Sequence, residues 1–423
     1  MIKNKSIRQC ISTDEKEFLI YGTDSFAQFP RRNPSINSKC DRALPVASHD
    51  DVVVLRGKLD SDYYNWLKSH GLGPDLDNIV QYGEESTDFT LSELIIKNPE
   101  PIMKIIHKAG TRPVYVPWFS GETEKQAARA IGAELFGASE PLTLKYNDKS
   151  SFKNICRELD VPVVDGHLFK VDRKQTKNCF EMGELVESFL SIYEMVIIRG
   201  TVGDAGMSLY KTDGSNTAGL YRQIAATGEK ELLIEPFHNV SFSPSDHWVI
   251  DRDGKSNYIG LRNQTVAQGM IHVGTLKGET FPEKTSDYIV NTSAKIVEHM
   301  AKSGYIGVVG IDYIVSDEGI FPIENNARFN ASSYIDMLVD NIEKTLAPAP
   351  YWEYKKVKID PCSFESLAKR MEPLLYDGAK TNSVFPFNCD RLTVSGDFSI
   401  VILAQDYNNI ADLKKSLKDM GIK

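Results

Sequence analysis

The segment GIDYIVSDEGIFPIENNARFN, Gly310–Asn330, constrains this chain more than any other stretch. Two runs rich in Ile, Val and Phe flank Ser316-Asp317-Glu318-Gly319, a tight-turn signal, so the segment reads as a β-hairpin. Yet its strands carry Asp312, Glu324, Asn325, Asn326 and Arg328. A three-residue loop ending in a left-handed glycine assigns Asp317-Glu318-Gly319 to the turn and sets Ser316 opposite Ile320. Counting back along both strands places Asp312 opposite Glu324. Period-two alternation adds Asn326 and Arg328 to that face and sends Phe321 and Ile323 to the other. Two opposed carboxylates repel unless a cation sits between them. A hard divalent ion with oxygen ligands answers that need, and Mg²⁺ is usually held by one or two carboxylates plus substrate phosphates. An edge hairpin with a wet face, on which Arg328 screens the two acids, fits the same residues.

The rest of the chain sets the context. Its 423 residues exceed what one core ordinarily fills, which points to two or three domains. The balance is acidic, 49 basic against 58 acidic side chains, and no long basic run appears, which argues against nucleic acid as the main ligand. Cys10, Cys40, Cys156, Cys179, Cys362 and Cys389 are scattered without CxxC or paired Cys/His spacing, which argues against zinc and suits a reducing cytoplasm. No apolar run is long enough to span a bilayer, and the first residues lack a signal-peptide core. A soluble cytoplasmic protein without a membrane partner is the expectation.

The fold class is α/β. Short apolar runs at Phe18–Asp24, Asp50–Gly57 and Arg112–Trp118 read as buried parallel strands, with helical patterns such as SDYYNWLKSHG and TLSELIIKNPEPIMKIIHKAG between them, each stopped by Gly. That alternation predicts an open α/β domain over residues 1–142. Asn147 or Asp148 can cap a helix running to about Leu159. EMVIIRG, ELLIEPF, DHWVIDRDGK and SNYIGLRN read as strands, and Thr285–Gly304 as a helix. The proline-bearing TLAPAPYWEYKK marks a boundary near residue 346, ahead of a small C-terminal α/β region, 346–423.

FPIENNARFN resembles the metal-binding strand of the ATP-grasp superfamily, E-x-N-x-R with an acid about a dozen positions upstream. The resemblance implies that Asp312, Glu324 and Asn326 hold Mg²⁺, or Mn²⁺, against the phosphates of ATP, and that Arg328 faces a reacting carboxylate. Other segments resemble the family in the same order. NDKSSFKNICRELDVPVVDG places Lys149 on nucleotide phosphates, where the helix dipole adds to its charge. MVIIRGTVGDAGMSLYK resembles the lid strand and glycine-rich loop, with Gly200, Gly203, Gly206 and Met207 near the nucleotide and Arg199 where the family has lysine. ELLIEPFHNV resembles the adenine hinge, implying that the Glu235 carbonyl and the Phe237 N–H meet the base. Phe242 stands where a ribose-binding acid is common, which leaves Asp246 as the candidate. Arg262, Gln264 and His272 are candidates to touch substrate. The likeness covers roughly residues 143–345, with a lid over about 155–230, and is similar to stand-alone peptide ligases of the pheganomycin type. It implies an ATP-dependent ligase that joins a carboxylate to an amine, an amino acid or short peptide, through an acyl phosphate, and leaves room for a homodimer. A phosphotransferase, a carboxylase and a nucleotide-binding module without catalysis are the alternatives on the same scaffold.

Overall fold

A computed structural model describes residues 5–14, 16–24, 39–83, 89–202, 208–267, 270–278, 281–346 and 348–422. The first sheet is parallel throughout and contains β1 (Glu17–Gly22), β2 (Val52–Arg56), β3 (Ile79–Tyr82), β4 (Arg112–Pro117) and β5 (Glu134–Leu135), in the order β3-β2-β1-β4-β5. Every residue of β1 is buried, as a strand covered on both faces requires. The order reverses between β1 and β4, so their carboxyl ends open a crevice of the kind that receives ligands in doubly wound sheets. The long helical pattern after β3 is broken: Leu91–Lys97 ends at Asn98 and Glu100–Ala109 starts anew. Pro99 disfavours a helical conformation for Asn98, so proline stops the first helix where glycine is expected. Gly110, at φ 64°, stops the second.

A four-stranded antiparallel sheet, β6 (His167–Lys170), β7 (Val196–Gly200), β8 (Leu209–Thr212) and β9 (Glu231–Pro236), runs in the order β6-β9-β7-β8 and has its own apolar core. This is the lid. The helix Lys149–Glu158 leads into it, and Asp148 caps that helix by accepting from Ser151 N at 2.7 Å.

The third sheet is antiparallel and has nine strands: β10 (Val240–Phe242), β11 (Pro244–Ile250), β12 (Ser256–Ala267), β13 (Ile271–Lys277), β14 (Gly307–Ser316), β15 (Gly319–Asn326), β16 (Tyr351–Lys358), β17 (Ser383–Phe387) and β18 (Asp397–Ala404). The strands past residue 346 build no sheet of their own; β16 pairs with β13 and carries β18 and β17 outward. Their apolar residues share one continuous core with the parallel sheet.

The hairpin of β14 and β15 keeps the expected pairing of Asp312 with Glu324 but reaches it by another route. Ser316 faces Gly319, not Ile320, so only Asp317 and Glu318 form the turn. Tyr313 then faces Pro322, and the extra residue is absorbed as a bulge at Ile323. The bulge alters the local alternation, so that Ile323 borders the same cavity as Glu324. Gly319 has φ 147°, and a Cβ there would meet the Phe321 ring at 2.9 Å.

Candidate active site

A cavity of about 250 Å³ lies where the three sheets meet. The lid contributes Ile197, Arg199 and Glu235 to its wall, and the hairpin contributes Asp312, Glu324 and Asn326. Cross-strand pairing forces the two acids together, and the structure shows the consequence. Burial, and then the charge of Glu324, push the Asp312 carboxyl up to about 7. Ser245 Oγ donates to Asp312 Oδ1 at 2.7 Å and Asn326 Nδ2 to its other oxygen at 3.0 Å. The cation bonded to Glu324 is Lys149, Nζ to Oε1 at 2.9 Å. Arg328 directs Nη2 to Asn326 Oδ1 at 2.7 Å and Nη1 to the Phe329 carbonyl at 3.1 Å. It braces the amide beside the acids.

This donor set fits a small hard cation. Two carboxylates and one amide present oxygen, and Asp312, pushed up to about 7, is not fully ionised near neutral pH. Among the described residues no group of three or more His, Cys, Asp or Glu side chains is placed to hold a metal. Ligands from elsewhere, such as phosphate oxygens, must therefore complete any coordination shell.

Glu235 is the second charged centre. Its carboxylate is buried between Lys153 Nζ, at 2.5 Å, and the Arg199 guanidinium, with Nε at 2.8 Å and Nη2 at 2.6 Å. Burial pushes its pKa up, but the two cations outweigh that and hold it below the ordinary range. Arg199 Nη1 also donates to the Ile323 carbonyl at 3.1 Å, so the arginine ties lid to hairpin at the bulge. A lysine has no planar fork with which to make all of these bonds.

The Glu235 carbonyl and the Phe237 N–H, expected to meet the base, are engaged within the sheet. The Phe237 N–H is donated to Met195 O at 2.9 Å. In an antiparallel ladder hydrogen-bonded pairs alternate, so the Glu235 peptide is likewise committed, to Ile197. The groups turned the other way are the Pro236 carbonyl and the His238 N–H, and both residues border the cavity.

Of the substrate candidates, Gln264 and His272 line the cavity, with His272 Nε2 2.9 Å from Thr275 Oγ1. Arg262 does not. It is 1% exposed, bonded to Asp336 Oδ1 at 2.5 Å and packed near the Trp352 ring. Asp246 is fully buried and accepts from Trp248 Nε1 at 2.8 Å, so it is not placed for a ribose. Burial pushes its carboxyl up to about 6. Gly200 ends β7, whereas Gly203, Gly206 and Met207 lie outside the described residues.

Residues not singled out from sequence also take part: Ser245 and His247 on β11 and a basic group formed by Lys39, Arg42 and Lys356 line the cavity, and Lys153 is bonded to Glu235. Lys153 follows Lys149 by one helical turn, the spacing that puts both on one face. The buried Phe152, Ile155 and Cys156 mark that helix as packed, a signal that both lysines point inward.

No protein-family model matches the chain. It is 22% identical over 340 residues to the arginine-specific large chain of carbamoyl phosphate synthase from Geobacillus stearothermophilus, covering 77% of this chain and 30% of that protein. The chain thus spans about a third of that relative's length. Among solved structures, a biotin carboxylase from Campylobacter jejuni in complex with β,γ-ATP matches 96% of this chain and 92% of its own, at 15% identity and a TM-score of 0.63. The ADP complex of N5-carboxyaminoimidazole ribonucleotide synthetase matches 95% and 96%, at 11% identity and a TM-score of 0.60. The biotin carboxylase domain of Hydrogenobacter thermophilus 2-oxoglutarate carboxylase, solved with MgADP and bicarbonate, matches 86% and 88%, at 12% identity and a TM-score of 0.56. These likenesses, together with the parallel sheet, the lid and the hairpin that closes the cavity, identify the fold of this chain as the ATP-grasp fold.

Proposed function

We propose that the chain is an ATP-dependent ligase that activates a small carboxylate as its acyl phosphate and passes the acyl group to an amine, with an amino acid or short peptide as substrate. The observation that carries this reading is the shared face of Asp312, Glu324, Asn326 and Arg328, opening on the same cavity as Lys149 and the lid. ATP fits with its base at the hinge, against Ile197, Leu209 and Ile323, where the Pro236 carbonyl can accept and the His238 N–H can donate. Lys149 stands toward the phosphates, and its approach to Glu324 shows the charge it would bring to a nearby anion.

Mg²⁺ held by Asp312, Glu324 and Asn326 would supply neutralisation of phosphate charge. A substrate carboxylate oxygen attacks the γ-phosphorus and ADP leaves, with Lys149 stabilising the charge on the transferred group. An amine then attacks the acyl carbon, forms the C–N bond and expels inorganic phosphate. Arg328, held by Asn326 and the Phe329 carbonyl, is oriented to stabilise the oxyanion of that step. The lid, with its separate core, is the part able to exclude water from the acyl phosphate.

The test is a Glu324→Gln/Asn326→Ala double variant. It is expected to lose ADP formation while its melting temperature stays close to that of the parent, and unchanged turnover would end the assignment. A mass-spectrometric screen of amino acids and peptides with Mg-ATP should yield condensed product together with ADP. The likeness to carboxylases supports a second reading, in which bicarbonate is the activated acid. ADP release that requires bicarbonate and no other acid would select it.

A further inference from the structure

Beside the acid pair, the central sheet sets its residues in two cross-strand rows. Arg262, Ser245, Asp312 and Glu324 stand opposite one another on β12, β11, β14 and β15, and the next row is Gly260, His247, Gly310 and Asn326. Residues two apart on a strand share a face, so Ser245 and His247 point the same way. Both cross-strand neighbours of His247 are glycines, and a Cβ on Gly260 would meet Arg262 Nη1 at 2.7 Å. The row is thus clear of side chains on either side of the imidazole, which is 2% exposed.

A serine hydroxyl has a single proton. Ser245 gives it to the Asp312 carboxylate, Oδ1 at 2.7 Å, so in the contact with His247 Nε2 at 3.0 Å the ring must donate. The far side of the ring agrees. Burial, and then the charge of Arg262, hold the His247 pKa well below its ordinary value, so the ring carries one N–H. Nδ1 lies 3.8 Å from Asp336 Oδ2, beyond hydrogen-bond range, and has no partner among the described residues. Asp336 is bonded instead to Arg262 through Oδ1, at 2.5 Å. The ring proton therefore sits on Nε2. A donor there denies the serine hydroxyl the ring as an acceptor, which leaves Asp312 to receive its proton.

We infer that His247 is a positioning residue: by donating to Ser245 it fixes the serine proton on Asp312 Oδ1, and so orients a carboxylate assigned to the metal. The inference rests on the metal assignment of the ligase reading, and the test keeps the two apart. It needs no turnover. The quantity measured is the factor by which saturating Mn²⁺ tightens a non-hydrolysable ATP analogue over its affinity in EDTA, read calorimetrically on the full chain. Ser245→Ala and His247→Leu should each cut that factor about tenfold, the scale of loss when the partner of a ligating group is removed, while affinity in EDTA stays at the parent value. His247→Gln, which keeps an N–H donor, should restore most of the factor. Ser245→Ala/His247→Leu should lose no more than Ser245→Ala alone, because the histidine acts through the serine. If His247→Leu does not fold, the smaller polar change His247→Asn takes its place with the same expectation. An unchanged factor in Ser245→Ala, or losses that add in the double variant, overturns the inference. If Glu324→Gln/Asn326→Ala nonetheless abolishes the tightening, the metal assignment survives that failure. No tightening in the parent removes the metal assignment and the inference with it.

Discussion

Glu124 shows how a buried charge away from the cavity sets a pH dependence. It lies in the helix Glu122–Ala130, is 3% exposed, and burial pushes its carboxyl from 4.5 up to about 7. Below pH 4.5 both folded and unfolded chains carry the proton. As pH rises from 4.5 to 7 the unfolded chain loses it first, so stability falls across that window. Glu124→Gln removes the penalty and should be more stable than the parent at pH 8 by up to about 3 kcal/mol, with little difference at pH 4. Urea denaturation at the two pH values checks this, and a pH-independent difference would exclude it. At Glu235 the balance is opposite, because two cations accompany the carboxylate inward. Lys153→Met should leave that acid short of charge and cost about 3–5 kcal/mol in chemical unfolding. Neither outcome is legible in sequence. Glu124 and Lys153 look like solvated helix positions until their burial is known.

The hairpin and the lid show how small backbone choices place chemistry. The Asp312–Glu324 pairing was legible from alternation because side-chain period is dictated by strand geometry alone. The route was not, since a two-residue turn with a later bulge and a three-residue turn without one bring the same acids together. Gly319→Ala would force a side chain into φ 147° against Phe321 and should cost about 1–3 kcal/mol, measured by denaturant unfolding. The bulge leaves the Ile323 carbonyl for Arg199. Arg199→Lys should therefore loosen the lid. Hydrogen exchange across residues 196–200 and 231–236 should quicken in the variant, and an unchanged pattern would show that the arginine is no tie.

The molecule as a whole is less divided than its pattern of helices and strands suggests. The C-terminal strands continue the central sheet and share a core with the first one. Asp41 strengthens the join by accepting from the N–H groups of Cys389 and Asp390 at 2.6 and 3.1 Å. Removing residues 346–423 would strip β13 of β16 and take away Phe364 and Phe385, the rings packed against Tyr63 and Trp66. The shortened chain should lack a cooperative unfolding transition by circular dichroism, and a sharp one would mean that the grasp stands alone. The helix N-terminus beside Lys149 and the acid pair of the hairpin were determined by sequence, because capping and alternation act between residues near in the chain or joined by one turn. The clamping of Glu235 by Lys153 and Arg199, the withdrawal of Arg262 and Asp246 into the interior, and the meeting of Lys39 and Arg42 with Lys356 were decided only by tertiary structure. Charges far apart in the chain carry no mark of one another. Their partners are chosen by which sheets pack together and by what that packing shuts away from water.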